Sequence, residues 1–137
     1  MKLDSSAFIA DRELIEALEK LSAPIVCEED RILFKQGESP NGLFILRAGS
    51  ATLTMQSPAG DEVMCVSTSA GSLLGLPGLI GNEPYTLTAK AVQGAELSFV
   101  TREEFSRLML TEPSLSLRVL RVLAAEVRTA RKAISEL

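Results

Sequence analysis

Glycine and proline punctuate the middle of this chain and vanish from its last two dozen residues. That contrast limits the fold more than any other feature. Between successive breakers there is room only for short extended segments. Ile32-Leu33-Phe34 runs into Gly37, and Leu43-Phe44-Ile45-Leu46 runs into Gly49. Ala51-Thr52-Leu53-Thr54-Met55 alternates with period two, as a half-buried strand does. Pro58-Ala59-Gly60-Asp61 reads as a turn, so this strand and Glu62 to Val66 are predicted to form a hairpin. Thr86 to Val92 and Ala95 to Val100 give two more strands around Gly94. Short strands spaced by Gly and Pro turns predict a mainly β domain, an antiparallel roll of the jelly-roll type over about residues 25–100.

Helical periodicity flanks the roll. Leu14, Ile15, Leu18 and Leu21 lie on one helical face between Asp11, a predicted N-cap, and Pro24. Thr101-Arg102-Glu103-Glu104 has the capping-box pattern and opens a second helix carrying Phe105, Leu108 and Met109. Pro113 suits the first turn of a third, which should run unbroken from Ser114 to about Ser135. No internal repeat or linker divides the chain. Residues 1–137 are expected to be one domain, the roll followed by C-terminal helices over about 101–137.

Composition closes several chemistries. There is no histidine, and Cys27 and Cys65 stand far apart, so Cys/His zinc sites, four-Cys clusters and histidine-based nucleophile pairs are excluded within one chain. Metal-dependent cupin chemistry, which leans on histidine ligands, has nothing to build on. The chain is therefore expected to be no enzyme and to carry no cofactor or metal. Both cysteines are expected to be buried, reduced thiols. The N-terminus lacks an apolar signal region, and no stretch nears the roughly 20 apolar residues of a membrane span, so a cytoplasmic location is expected. Net charge is −4, with a small basic excess only after residue 100, which argues against direct DNA binding by this chain.

The last helix reads as an interface. Leu120, Val127 and Ile134 repeat every seven residues, and Leu123, Ala130 and Leu137 repeat three residues on. This is a short a/d seam and predicts a homodimer through the C-terminal helix. Leu117, Val122, Ala124, Ala125 and Ala133 widen the apolar surface, for packing on the chain's own roll. Arg118, Arg121, Arg128, Arg131 and Lys132 would lie outside the seam and pair with Glu126 or with a partner chain. The alternative is a helix that merely covers its own roll.

Taken in order and at their spacing, four segments resemble the cyclic-nucleotide-binding domain of the catabolite activator protein and FNR regulator family. They are Phe34-Lys35-Gln36-Gly37-Glu38, Leu43 to Ala51, Gly71-Ser72-Leu73-Leu74-Gly75-Leu76-Pro77-Gly78-Leu79, and Thr101 to Met109. The resemblance runs from about Leu33 to Glu136. It implies a β-roll with a ligand pocket, a long helix that carries the signal, and a phosphate-binding cassette. In that family the cassette reads Gly-Glu, a short helix, then Arg-Ser/Thr-Ala. The Glu takes the ribose and the Arg takes the cyclic phosphate.

Both charged anchors of the cassette are changed here. Leu76 follows Gly75 where the Glu is expected. Tyr85 stands in place of the Arg before Thr86, and Leu87 in place of the Ala. A charge-assisted phosphate contact contributes about 1.5–3 kcal/mol, so losing both anchors should weaken a nucleotide by about a hundredfold or more. The predicted site is thus a degenerate pocket at Gly75, Leu76, Pro77, Gly78, Tyr85, Thr86 and Leu87, lined also by Leu73, Leu79 and Met64. It would hold a less charged small molecule, or be filled by its own side chains. Lys90, or an Arg from a partner's last helix, is the alternative source of a phosphate-neutralising charge.

The function implied is a non-catalytic sensor or regulatory domain, not binding cyclic AMP or GMP in the usual way and signalling through its last helix. One alternative is the sensor domain of a transcription regulator whose DNA-binding domain is absent from this chain, since a helix-turn-helix follows the long helix in regulators of the family. The other is an interaction module with a vestigial pocket.

Overall fold

Leu43, Phe44, Ile45 and Leu46 are all buried, and this accounts for their unbroken apolar run. A strand covered on one face alternates, whereas a strand covered on both does not need to. Their strand, β3, lies between a second sheet on one side and a helical layer on the other. The computed structural model describes residues 8–135, and their side chains as far as Arg128.

In chain order the elements are α1 (Arg12–Glu19), β1 (Ala23–Val26), β2 (Arg31–Phe34), β3 (Gly42–Ala48), β4 (Ala51–Gln56), β5 (Glu62–Thr68) and β6 (Leu73–Leu74). There follow α2 (Leu76–Gly81), β7 (Thr88–Ala91), β8 (Glu96–Thr101), α3 (Arg102–Thr111) and α4 (Pro113–Ser135). The strands form two four-stranded antiparallel sheets, in the orders β1-β8-β3-β6 and β2-β7-β4-β5. The predicted hairpin is the β4–β5 pair, in register from Ala51 opposite Thr68 to Met55 opposite Met64. Where β3 turns into β4, Gly49 has φ +83° and a side chain would strike the Ala95 backbone, so only glycine serves there.

Two cores result. Between the sheets lie Phe34, Phe44, Leu46, Leu53, Val66, Leu74 and Leu97. Between the first sheet and the helices lie Leu14, Leu18, Leu43, Ile45, Leu73, Leu76, Leu79, Val100 and Phe105, closed by Leu115, Val119 and Val122 of α4. Full burial of each large aliphatic side chain contributes about 1.5–3 kcal/mol, so the helical layer is an integral part of the domain.

Several expectations change at the level of single residues. Asp11 does cap α1, its carboxylate accepting from the Leu14 amide, but the helix ends at Glu19 and Pro24 lies inside β1. Thr101 caps α3 through the Glu104 amide at 3.2 Å, yet the reciprocal half of the capping box is missing, since the Glu104 carboxylate takes Arg107 instead. The inward row of α4 is Leu115, Val119 and Val122, at i, i+4 and i+7, and Leu117 is exposed. Arg118 does not pair with Glu126; it reaches α1 and bridges Asp11 and Glu13 at 3.2 and 2.8 Å. Cys27 is buried as expected, but Cys65 points outward from β5 and is exposed; both are free thiols.

Candidate functional site

The inner face of the second sheet does not close on itself completely. Phe34 from β2, Leu53 and Met55 from β4 and Met64 from β5 form one side of a cavity of about 170 Å³. Gly75, Pro77 and Gly78 at the start of α2, and the Tyr85-Thr86-Leu87 segment leading into β7, continue the wall. Phe8 from the N-terminal segment and Glu126 from α4 complete the lining. Among the described residues, no side chain fills this cavity.

Of the predicted site residues, Met64, Gly75, Pro77, Gly78, Tyr85, Thr86 and Leu87 come together here. Leu76 does not. It is fully buried with Leu73 and Leu79 in the helical core, on the far side of β3. The first turn of α2 directs its second residue, Pro77, towards the cavity and its first towards the helices. Lys90 is exposed on β7 and is absent from the lining, so it supplies no charge to the site.

Tyr85 is a built-in structural piece. Its backbone is paired on both sides, with Gly37 N–H donating to its carbonyl at 2.7 Å and its own N–H donating to Glu38 at 2.9 Å. Its hydroxyl donates to the Gly42 carbonyl at 3.0 Å and accepts from the Asn41 amide at 3.3 Å. The ring packs against the start of α2. A side chain on Gly75 would approach Cε1 of Tyr85 to 3.0 Å, and one on Gly78 would lie 3.4 Å from Cδ1. Gly75 also has φ +95°, a left-handed conformation suited to glycine. The phenol thus covers the helix start with a ring, and its one polar atom is turned away and satisfied elsewhere.

The site lacks the positive charge of a phosphate receptor among the described residues. Among the described residues lining the cavity there is no Lys or Arg, and Glu126 is the one carboxylic acid. Its Oε1 is shielded from solvent and has no hydrogen-bond partner among the described residues. Burial pushes its carboxyl up from 4.5 to about 8.

Comparison with known proteins places this geometry. Residues 24–112 match the sequence profile of the family described as cyclic nucleotide-binding domain. The chain belongs to that family.

Among curated relatives, the cyclic-nucleotide-binding-family chain is 24% identical over 126 residues to the transcriptional activator protein FnrA of Stutzerimonas stutzeri, covering 92% of this chain and 50% of that protein. It is 23% identical over 123 residues to the CRP-like cAMP-activated global transcriptional regulator of Mycobacterium tuberculosis, covering 90% of this chain and 55% of that protein. It thus spans about half the length of the curated relatives it matches. Among solved structures it superposes on the Thermus thermophilus catabolite activator protein with a TM-score of 0.79 at 21% identity, over 91% of this chain and 59% of that one. The sensor domain of the Pseudomonas aeruginosa regulator DNR gives 0.67 at 20% identity, over 93% and 83%. The expected roll, its short N-terminal helix and its long C-terminal helix are those of the cyclic-nucleotide-binding fold.

Within this cyclic-nucleotide-binding-family domain, sequence reading missed Phe8, Phe34, Leu53, Met55 and Glu126 as cavity residues. For Glu126 a signal existed. It continues the inward row Leu115, Val119, Val122 at the next i+4 step, so a carboxylate follows three apolar residues on the buried face of α4. The strand residues carried no comparable signal, because alternation marks a side chain as inward without separating core from cavity.

Proposed function

We propose that the chain is a non-catalytic sensor domain of the CRP/FNR type whose pocket does not take cyclic AMP or GMP in the family's usual way. The observation that carries this is the presence of both Tyr85 and Glu126 in the cavity lining. The ring of one covers the start of α2, and the other is the one carboxylic acid lining the cavity among the described residues. Among the described lining residues an entering phosphate would meet no cation and one acid. Unpaired, a buried anion costs several kcal/mol, which removes micromolar affinity.

The signal would leave through α4, which both lines the cavity at Glu126 and carries an outward apolar row. Leu120 and Val127 on that row are 57% and 49% exposed, a surface suited to a second copy of the chain. Ala130, Ile134 and Leu137, the other predicted seam positions, lie outside the residues whose side chains are described, and Leu123 is partly buried against the helical core. A homodimer through this helix, in a cytoplasmic protein, with residues 1–137 as one sensor domain of a transcription regulator, completes the proposal. Among the described residues no helix is long and apolar enough to cross a membrane.

Calorimetry with cyclic AMP and cyclic GMP tests the reading. No saturable heat below millimolar ligand is expected, and micromolar binding of either nucleotide overturns it.

A further inference from the structure

The orphaned acid inside an apolar cavity specifies its ligand. Leu53, Met55, Met64 and Leu87 give greasy walls, two of them with flexible thioethers that adapt to different shapes. Phe34 and Tyr85 add aromatic surface, stacked with centroids 4.0 Å apart. Against this stands one shielded carboxyl oxygen with no partner among the described residues. A neutral hydrocarbon would fill the space and leave that oxygen unsatisfied. An anion would bring its charge to a wall where no described residue is a cation. A ligand with an apolar body and a donor at one end satisfies both, and an ammonium does so most strongly, since ionised hydrogen bonds exceed neutral ones and aromatic walls favour cations.

We propose that this cavity is a receptor for a small apolar primary amine, held by its body against Phe34, Met55, Met64 and Leu87 and by its ammonium against the Glu126 carboxylate. This deepens, and rests on, the reading of the domain as a sensor that does not use the phosphate route. It also supplies a transmission step. The walls belong to the roll and the carboxylate to α4, so a bound amine ties the two together, and it shifts the helix by its differential affinity for the arrangement that brings them close.

Proton balance gives the proposal a second signature. Burial pushes the Glu126 carboxyl up to about 8 and so holds it protonated at neutral pH. Capture of an ammonium leaves the carboxylate paired and returns one proton to solvent. Tyr85, whose hydroxyl faces Gly42 and Asn41, is the other titratable group lining the cavity among the described residues, across β2, β4, β5, α2 and the segment before β7. Arg118, elsewhere on α4, is engaged by Asp11 and Glu13. Amine affinity should therefore rise with pH, by up to about tenfold per unit, until Glu126 ionises, and level off near pH 8.

The experiment uses the full chain with 2-phenylethylamine and n-hexylamine as probes, against 2-phenylethanol and phenylacetate, by thermal shift and calorimetry. Above pH 8, where Glu126 is ionised, both amines should raise Tm and bind at least about tenfold more tightly than the alcohol, with phenylacetate weakest. Glu126→Gln, checked by circular dichroism for folding, should keep alcohol binding and lose the preference for amines and the pH dependence. Leu87→Trp, which fills the cavity, should abolish every ligand. Absence of a response to either amine at about 10 mM, equal binding of amine and phenylacetate, or an unchanged amine affinity in Glu126→Gln overturns the proposal. Cyclic nucleotide titrations run in parallel separate the two claims. If nothing binds, the amine receptor fails and the nucleotide-free reading stands; if cyclic AMP binds tightly, the underlying reading fails as well.

Discussion

Tyr85 lies almost flat on Phe34, with ring centroids 4.0 Å apart and planes 21° from parallel. The stack joins the segment before β7 to the end of β2 and forms a corner of the cavity. Removing only the hydroxyl leaves the Gly42 carbonyl and Asn41 amide short of a partner. Tyr85→Phe should therefore destabilise the domain by about 1–2 kcal/mol. Tyr85→Ala, which also removes the ring, should cost about 3–5 kcal/mol. Urea denaturation of the two variants checks the order; equal effects would mean that the hydroxyl, not the stack, dominates.

Leu76 lies in the helical core, and its substitution separates the sequence pattern from the geometry. By pattern, Leu76→Glu together with Tyr85→Arg restores the family's two anchors. By structure, Leu76→Glu places a carboxylate among Leu14, Leu18 and Phe105 with no partner. The expected outcome of Leu76→Glu is a loss of about 3 kcal/mol or more and no gain in nucleotide binding, read by thermal melting and calorimetry. Tyr85→Arg alone, at the cavity wall, is the variant expected to favour anions there.

The outward row of α4 predicts a mass. Leu120→Glu and Val127→Glu alter residues at least half of whose surface, or nearly so, is already solvated, and the chain's own core does not use them. Combined, they should leave the melting temperature of the roll close to that of the parent and convert a dimer to a monomer in sedimentation equilibrium. A double variant that keeps the parent's mass removes α4 from the interface.

How far the sequence could be read follows from what each residue does. Gly49, the Pro58–Asp61 turn and the period-two run of Ala51 to Met55 announce the hairpin and the roll, since each is a local signal with a local cause. Pro113 announces the break between α3 and α4 in the same way. Leu76 misleads, because a pattern of spacing gives its place in the chain and not the direction of its side chain, which the first turn of α2 sets. Arg118 misleads for a related reason. Its helical neighbour Glu126 is two turns away, while Asp11 and Glu13 reach it only after α1 has folded onto α4. Long-range partners of this kind leave no periodic trace. The cavity itself was legible in its α2 and 85–87 wall, which carries the Gly and Tyr landmarks, and in its strand wall only at Met64.

Glu126 makes the stability of the empty domain depend on pH with a definite sign. Its carboxyl titrates at about 8 in the folded chain and at 4.5 without burial. Between those values the folded chain keeps a proton that the unfolded chain has released. Folding is then linked to proton uptake, and stability falls as pH rises through the window, by up to about 1.4 kcal/mol per unit. Below the window both states are protonated and above it both are ionised, so the contribution is flat at either end, with the full penalty at high pH. Glu126→Gln keeps the shape and removes the charge. Its stability should match the parent near pH 4.5 and exceed it increasingly towards pH 8. Denaturation midpoints for the two proteins at several pH values give the difference directly. Parallel curves would mean that Glu126 reaches solvent, and the acid would then be unavailable as the buried grip on which the amine receptor depends.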